Sequence, residues 1–252
     1  MQSALAIAGS DPTGGAGIQL DLQVFAFHGV HGMAVPTALT VQTTAGVLRT
    51  LPVFPNVVGE QLTALFDDIR PDAIKIGMLA TDDVLLRVIG VLERIDVPRV
   101  VDPVLQASDG SFLLERRALG NLVDRVIHGA ALVTPNRSEA EVLTGTSDPE
   151  EAARVLLDLG ARAALIKGGH ADGPADDFLL TERSGCWLRG KRVEGGAVHG
   201  TGCALSSSIA ARIARGEELE LAVRGAKRWV HDAICGAEQL GKGQLHLHLH
   251  PG

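Results

Sequence analysis

"ALAIAGSDPTGGAGIQLDLQVFAF", Ala4 to Phe27, stands almost at the start of the chain. Its first seven residues, Ala4 to Ser10, are a short apolar run of strand length. "DPTGGAG" then makes a glycine-rich turn, and from Ile18 to Phe27 the apolar residues Ile18, Leu22 and Phe25 recur at helical spacing. Strand, turn and helix form the first half of a βαβ unit, and the order repeats downstream. "GMAVPTALTVQTT" returns as a strand made irregular by Pro36, and "PNVVGEQLTALFDDI" is helical with Pro55 near its start. "DAIKIGML", "PRVVDPVL", "AALVTPN" and "AALIKGG" read as four further strands. Helices between them are expected over Asp82 to Arg94, Glu115 to His128 and Glu150 to Leu159. "DDFLLTERSGCWLRGKRV" reads as a late hairpin turning at Ser184 and Gly185.

Such alternation implies an α/β fold: a mostly parallel sheet covered by helices on both faces. Parallel strands place their C-terminal ends on one edge, where open α/β sheets bind ligands. Asp11, Lys75, Asp102, Asn136 and Lys167 each lie in or just after a strand, so they are expected on one rim. The sequence contains no internal repeat or linker, and residues 1–252 are expected to form a single domain.

Composition narrows the function. A net charge of -7 argues against a nucleic-acid surface, and two Trp, six Phe and no Tyr leave few stacking platforms. No apolar run is long enough to span a bilayer. The start, "MQSALAIAGSDPTGG", lacks the basic region of a signal peptide. Cys186, Cys203 and Cys235 are odd in number and widely spaced, which fits neither a disulfide framework nor a zinc site. A cytoplasmic protein is expected. The tail "GKGQLHLHLHPG" would place His246, His248 and His250 on one face of a strand, a geometry open to a metal. With no fourth ligand nearby, a terminal edge strand is the plainer reading.

Two glycine clusters are candidate phosphate cradles. Around Gly15 and Gly17, and around Gly200 and Gly202, a dinucleotide fingerprint would need a third glycine where Leu20 and Leu205 stand. There is no GxxxxGK[ST] either. "HGTGC" offers another design, in which glycines turn backbone N–H groups toward one point and the following helix adds unpaired amides. A Gly-containing helix entrance with a packed cysteine is the alternative. Cys203 falls in the first helical turn, where a thiol pKa tends to drop below its free value of about 8.5. A nucleophile, a proton acceptor, a further amide donor and a small buried apolar residue all fit it.

"IAGSDPTGGAGIQLDLQVFAFHGVHGMAVPTALTVQT", "IKIGMLA", "VVDPVL", "VTPNRSEAEVLTG", "IKGGH" and "HGTGCALSSSIAA" occur in this order. Together they closely resemble the hydroxymethylpyrimidine/phosphomethylpyrimidine kinases of thiamine biosynthesis, members of the ribokinase-like superfamily. The resemblance runs from Ala4 to about Gly243. Related sugar kinases, and often pyridoxal kinases, carry an Asp where Cys203 stands. The resemblance implies a three-layer α/β/α fold. It also implies phosphoryl transfer from ATP to 4-amino-5-hydroxymethyl-2-methylpyrimidine, then to its monophosphate, in one site that uses Mg²⁺. A homodimer is expected from it as well.

The resemblance further assigns residues. Gly200, Thr201, Gly202 and Cys203 would hold the transferring phosphoryl group. Asp21 and Gln42 would face the pyrimidine, whose edge shows a donor beside an acceptor. Met78, Val104 and Gly9 would line its pocket. Lys167, Lys227 and Asn136 would contact ATP, and Asp102 and Glu139 would be the acidic pair near Mg²⁺. Three departures stand out: Val198 where the family usually has Thr, Ser108-Asp109-Gly110 where it usually has Ser-Gly-Asp, and a shortened segment between Gly173 and His199. Three other functions compete: a pyridoxine or pyridoxal kinase on the same scaffold, a non-catalytic pyrimidine- or thiamine-sensing protein, and a Rossmann oxidoreductase weakened by the failed fingerprints.

Overall fold

The computed structural model of the protein describes residues 1–106, 110, 112–169 and 174–249. Ser108, Asp109, His170, Gly173 and His250, which the sequence singles out, lie outside the described residues. Its centre is one nine-stranded sheet in the order β3-β2-β1-β4-β5-β6-β7-β8-β9. The strands are β1 (Ser3–Ser10), β2 (His31–Thr43), β3 (Gly46–Pro52), β4 (Ala73–Ile76), β5 (Arg99–Val101), β6 (Leu132–Val133), β7 (Ala163–Ile166), β8 (Asp177–Thr181) and β9 (Gly185–Leu188). From β2 through β7 all neighbours run parallel, while β3, β8 and β9 are antiparallel additions at the two ends. The strands of the parallel centre are short and buried on both faces, which is why their sequences read as unbroken apolar runs rather than alternation.

Helices cover both faces. On one side lie α2 (Pro55–Asp68), α3 (Asp82–Leu92), α5 (Arg137–Thr144) and α6 (Pro149–Asp158), packed around Ile7, Leu62, Ile76, Leu85, Ile89 and Leu156. On the other lie α1 (Gly17–Phe27), α7 (Thr201–Ala214) and α8 (Leu219–Cys235), packed around Leu20, Phe25, Val100, Leu165, Ile209 and Val223. These are the three expected layers.

Three elements differ from the sequence reading. The helix expected over Glu115 to His128 is broken into a 3₁₀ turn (Arg116–Ala118), one turn of α-helix, α4 (Leu119–Asn121), and a π turn (Leu122–Ile127). Gly120 and the β-branched Val123, Val126 and Ile127 make this stretch a weak α-helix, and burial of Leu122, Val126 and Ile127 fixes its path. The strand β3 lies in a stretch that the sequence reading leaves unassigned; its side chains are mostly exposed, so it has no core-facing pattern. Helix α5 was not anticipated, although its capping box, Asn136 with Glu139, is a legible start signal.

Strand order reverses at β1: its neighbours are β2 on one side and β4 on the other. The crevice beyond the C-terminal ends of β1 and β4 is thus a topological switch point, the place where open α/β sheets bind ligands.

Candidate active site

The glycine-rich turn after β1 and the loop before α7 are pressed against each other. Gly17 has φ of +60°, and a Cβ there would strike the carbonyl of Gly9. Gly200 has φ of +74°, and a Cβ there would strike the carbonyl of Gly15. Both positions combine a left-handed backbone with backbone contact, so only glycine fits. Gly200 is the N-cap of α7 and offers no side chain, so the amides of Thr201, Gly202 and Cys203 have no capping side-chain acceptor. Three adjacent amides at the start of a 14-residue helix make an anion cradle.

A charged pair lies beside that cradle. Lys167 Nζ donates to Asp102 Oδ1 at 2.7 Å and Thr134 Oγ1 donates to the same oxygen at 3.1 Å. Ser206 Oγ lies 3.4 Å from Oδ2 and 3.1 Å from the carbonyls of Gly202 and Cys203. A Cβ on Gly202 would come within 3.1 Å of Lys167 Nζ and 3.7 Å of Asp102 Oδ2. The amide cradle, the ammonium and the carboxylate thus meet at one point. Burial opposes the charge on Asp102, but Lys167 and, farther off, Lys75 outweigh it and hold this carboxyl below the usual range. Burial likewise opposes the charge on Lys167, and Asp102 and Glu139 outweigh it.

Glu139 is buried at the start of α5. Its Oε2 accepts the Asn136 N–H at 2.8 Å, while Asn136 Oδ1 accepts the Glu139 N–H at 2.9 Å. Burial pushes the Glu139 carboxyl up to about 7 against the pull of Lys167, and Asp102 adds to the rise. Asn136, expected to contact ATP, has its side-chain oxygen committed to this cap, and its backbone bridges to Lys167. Lys227, expected in the same role, donates to Asp177 Oδ2 at 2.6 Å and to the Ala175 carbonyl at 2.7 Å. Asp177 Oδ1 accepts the N–H of Gly168 at 2.9 Å, so Lys227 ties α8 to the loop after β7.

Asp21 requires a revision. Direct contact with the pyrimidine was expected, but its side chain is fully buried and both oxygens are taken. Lys75 Nζ donates to Oδ1 at 3.0 Å and to Oδ2 at 2.9 Å, and Ser207 Oγ donates to Oδ1 at 2.6 Å. Asp21 therefore supports the site from beneath. Burial opposes the charge on Lys75, and Asp21, helped by Asp102, holds its ammonium protonated above the usual lysine range.

Cys203 also departs from expectation. Burial raises its thiol pKa rather than lowering it. Lys75 and the N–H of Gly17 pull the other way, but Asp21 and Asp102 reinforce the burial effect. Proximity of the helix start does not compensate for a low-dielectric setting with two carboxylates nearby.

A small apolar cluster lies near the switch point. Met78 and Val104 pack together with Ala38 and Ala80, and a Cβ on Gly9 would come within 2.9 Å of Met78 Sδ. Gln42 Nε2 lies 3.0 Å from His199 Nε2.

A profile described as phosphomethylpyrimidine kinase matches residues 11–248. The chain belongs to the phosphomethylpyrimidine kinase family. The hydroxymethylpyrimidine/phosphomethylpyrimidine kinase of Synechococcus elongatus is 40% identical over 256 residues, covering 98% of this chain and 97% of that one. The crystal structure of phosphomethylpyrimidine kinase from Clostridium difficile 630 is 37% identical with a TM-score of 0.82, covering 93% of this chain and all of that one. An ADP complex of Bacillus subtilis pyridoxal kinase superposes with a TM-score of 0.89 at 29% identity, covering 98% and 96% of the two chains. Family membership makes this kinase a phosphotransferase of ribokinase-like fold that uses ATP to phosphorylate hydroxymethylpyrimidine in thiamine biosynthesis.

Sequence reasoning missed several members of the site. The triplet Ser206, Ser207, Ser208 looks like helix filler, yet its three hydroxyls reach Asp102, Asp21 and His28 respectively. The small side chains around them let α7 pack close to α1 and the sheet, burying all three. His199, in contact with Asp11 and Gln42, was passed over as a neighbour of the glycines. The tail also gains a place. Leu245 pairs beside Val198, and the ring of buried His246 lies over Gly15, where a Cβ would meet its Nε2 at 2.7 Å. His248 lies 3.6 Å from Glu238. Among the described residues no group of three His, Cys, Asp or Glu is placed to hold a metal ion.

Proposed function

We propose that this kinase transfers the γ-phosphoryl group of ATP to the hydroxymethyl oxygen of 4-amino-5-hydroxymethyl-2-methylpyrimidine and then phosphorylates the monophosphate in the same site. The observation that carries this reading is the meeting of the uncapped α7 amides with the Lys167–Asp102 pair at Gly202. Phosphoryl transfer proceeds through a loose transition state, so catalysis consists of positioning and charge neutralisation, which this arrangement supplies. Met78, Val104 and Gly9 line the ring pocket, and Gln42 reads the ring edge. Asp21 acts through Lys75 and Ser207. The loop after β7, braced by Lys227, and the start of α5 at Asn136 form the nucleotide side.

Asp102 and Glu139 fit Mg²⁺, which takes hard oxygen donors and usually one or two carboxylates besides phosphate oxygens and water. Both are buried, and a cation beside Glu139 would favour its ionised form, which burial disfavours. When bound with ATP, the metal supplies charge neutralisation on the phosphates. Free Cys186, Cys203 and Cys235 suit the reducing cytoplasm. The homodimer is supported by the exposed apolar residues Leu39, Val41, Leu48 and Leu51 on β2 and β3, with Phe54 just beyond.

Pyridoxal is the second substrate to consider, because the backbone superposes as well on a pyridoxal kinase. A sensing role is disfavoured, since a sensor would not need Asp102, Lys167 and the amide cradle together. Mass spectrometry of purified protein with ATP and Mg²⁺ tests the reading. Monophosphate followed by diphosphate of the pyrimidine is expected, with pyridoxal turned over more slowly. Phosphorylation of pyridoxal alone, or of neither alcohol, would refute it.

A further inference from the structure

Gln42 is held by a chain of hydrogen bonds that begins at a buried carboxylate. Asp11 is almost fully buried, and its Oδ1 accepts the Thr13 N–H at 2.9 Å and the Thr13 hydroxyl at 2.8 Å. Its Oδ2 lies 2.9 Å from His199 Nε2. Burial alone would raise the Asp11 carboxyl, but the bonds from His199 and Thr13 outweigh it and hold Asp11 ionised. An ionised carboxylate only accepts, so His199 Nε2 carries the hydrogen.

That assignment decides the carboxamide. Gln42 Nε2 lies 3.0 Å from the same His199 nitrogen, which would set one N–H against another. Oxygen and nitrogen of an amide are interchangeable in position and are assigned by their partners. The amide therefore turns its oxygen to His199, whose single Nε2 hydrogen is shared between Asp11 Oδ2 and the Gln42 oxygen as a three-centre bond. Its NH₂ then faces Thr40 Oγ1, 3.1 Å from the other amide atom. Thr40 can accept there, because its own hydroxyl hydrogen goes to the Ser10 carbonyl at 2.9 Å. No donor then faces a donor along the chain from Asp11 to Ser10, although Asp11 and Gln42 share the one His199 N–H. The Gln42 carboxamide keeps one N–H and one oxygen lone pair for a ligand, in a fixed order.

We propose that His199, oriented by Asp11, is a specificity-determining positioning residue that fixes which end of the Gln42 carboxamide meets each atom of the substrate ring edge. The inference rests on the proposed placement of Gln42 against the pyrimidine. An aminopyrimidine edge offers an amino donor beside a ring-nitrogen acceptor and matches one amide orientation only. A pyridoxal edge, which lacks that amino donor, does not depend on this order.

Asp11→Asn tests the idea without removing a ring. The two Thr13 bonds keep the asparagine oxygen at the Oδ1 position, so its NH₂ faces His199. The imidazole must then accept at Nε2 and carry its hydrogen at Nδ1, and Gln42 reverses. Nitrogen-15 NMR of the histidines is expected to find His199 protonated at Nε2 in the parent and at Nδ1 in the variant. The KM for the hydroxymethylpyrimidine is expected to rise about tenfold, the cost of one mismatched buried hydrogen bond, with a smaller change in kcat. The preference over pyridoxal, as a ratio of kcat/KM values, is expected to shrink by a similar factor. His199→Ala, which frees the amide to take either orientation, is expected to shrink that preference too. An Nδ1-protonated His199 in the parent, or an unchanged preference in both variants, would overturn the proposal. Turnover of the pyrimidine by the parent reports separately on the function itself.

Discussion

At the scale of single residues, the site is governed by how burial sets charge. Cys203 is proposed to face the acceptor hydroxyl, but its thiol is driven toward the neutral form. A thiolate base is then the wrong starting state. In a loose transition state the acceptor proton leaves late, so Cys203 contributes an amide and a shape. Cys203→Ser is accordingly expected to keep kcat within about tenfold of the parent, whereas loss of a true general base costs roughly 10²- to 10⁴-fold. Steady-state kinetics at saturating ATP distinguish the two.

Glu139 carries a pH signature. Its carboxyl titrates near 7 in the folded protein and well below that in an unfolded chain. Between those values the native state binds more protons than the unfolded state, so this group makes stability fall as pH rises through that interval and levels off above the folded value. Glu139→Gln removes the titration and preserves the capping box, because Gln at this position also reaches the N-cap N–H. Thermal melts without metal should show the Tm of the variant gaining on the parent between pH 5 and pH 8. A Tm difference independent of pH would contradict the assignment.

At the scale of elements, the entrance to α7 is where backbone geometry turns into chemistry. Gly200 and Gly216 have similar dihedrals, φ of +74° and +85°, at the two ends of the same helix region. Their surroundings differ: a Cβ on Gly216 meets nothing within 4 Å, while one on Gly200 meets the Gly15 carbonyl. Gly216→Ala is expected to cost only the left-handed strain, about 1–2 kcal/mol in urea unfolding, with activity retained. Gly200→Ala must also push apart the two glycine loops. Its stability loss is expected to be larger and its kcat to fall at least about 10²-fold, the effect of misplacing oxyanion donors. Equal losses in the two variants would show that the loop contact is immaterial.

The elements also show what was legible in the sequence and why. The central parallel strands β4 to β7 are plain because each is a short run buried among its neighbours. Asp102, Asn136 and Lys167, at or beyond the ends of β5, β6 and β7, mark the rim, whereas Lys75 lies buried within β4. The 116–127 stretch was misjudged because apolar spacing alone does not separate α, 3₁₀ and π turns. Asp21 and Lys75 were each visible as polar residues, but their mutual burial arises from a contact 54 positions apart that no local pattern reveals. The serines of α7 and the link from His199 to Asp11 share that origin: small or polar residues whose partners come from α1, the β1 turn and the end of β5.

At the scale of the whole molecule, the antiparallel strand β3 widens the sheet beyond its parallel core and carries Leu48, which is 72% exposed. With Leu39 and Leu51 it forms the apolar surface expected to close a dimer. Light scattering is expected to give twice the chain mass for the parent and the single-chain mass for Leu48→Asp. A parent that stays monomeric at high concentration would remove this role from β3.

Every part of the mechanism converges on one small volume bounded by Gly202, Cys203, Lys167 and Asp102. A crystal structure with ADP, Mg²⁺, aluminium fluoride and the hydroxymethylpyrimidine tests that convergence directly. The fluoride group is expected within hydrogen-bonding distance of the Gly202 and Cys203 amides and of Lys167 Nζ, in line with the pyrimidine hydroxymethyl oxygen. A fluoride group held elsewhere, with the α7 amides facing only water, would contradict the account.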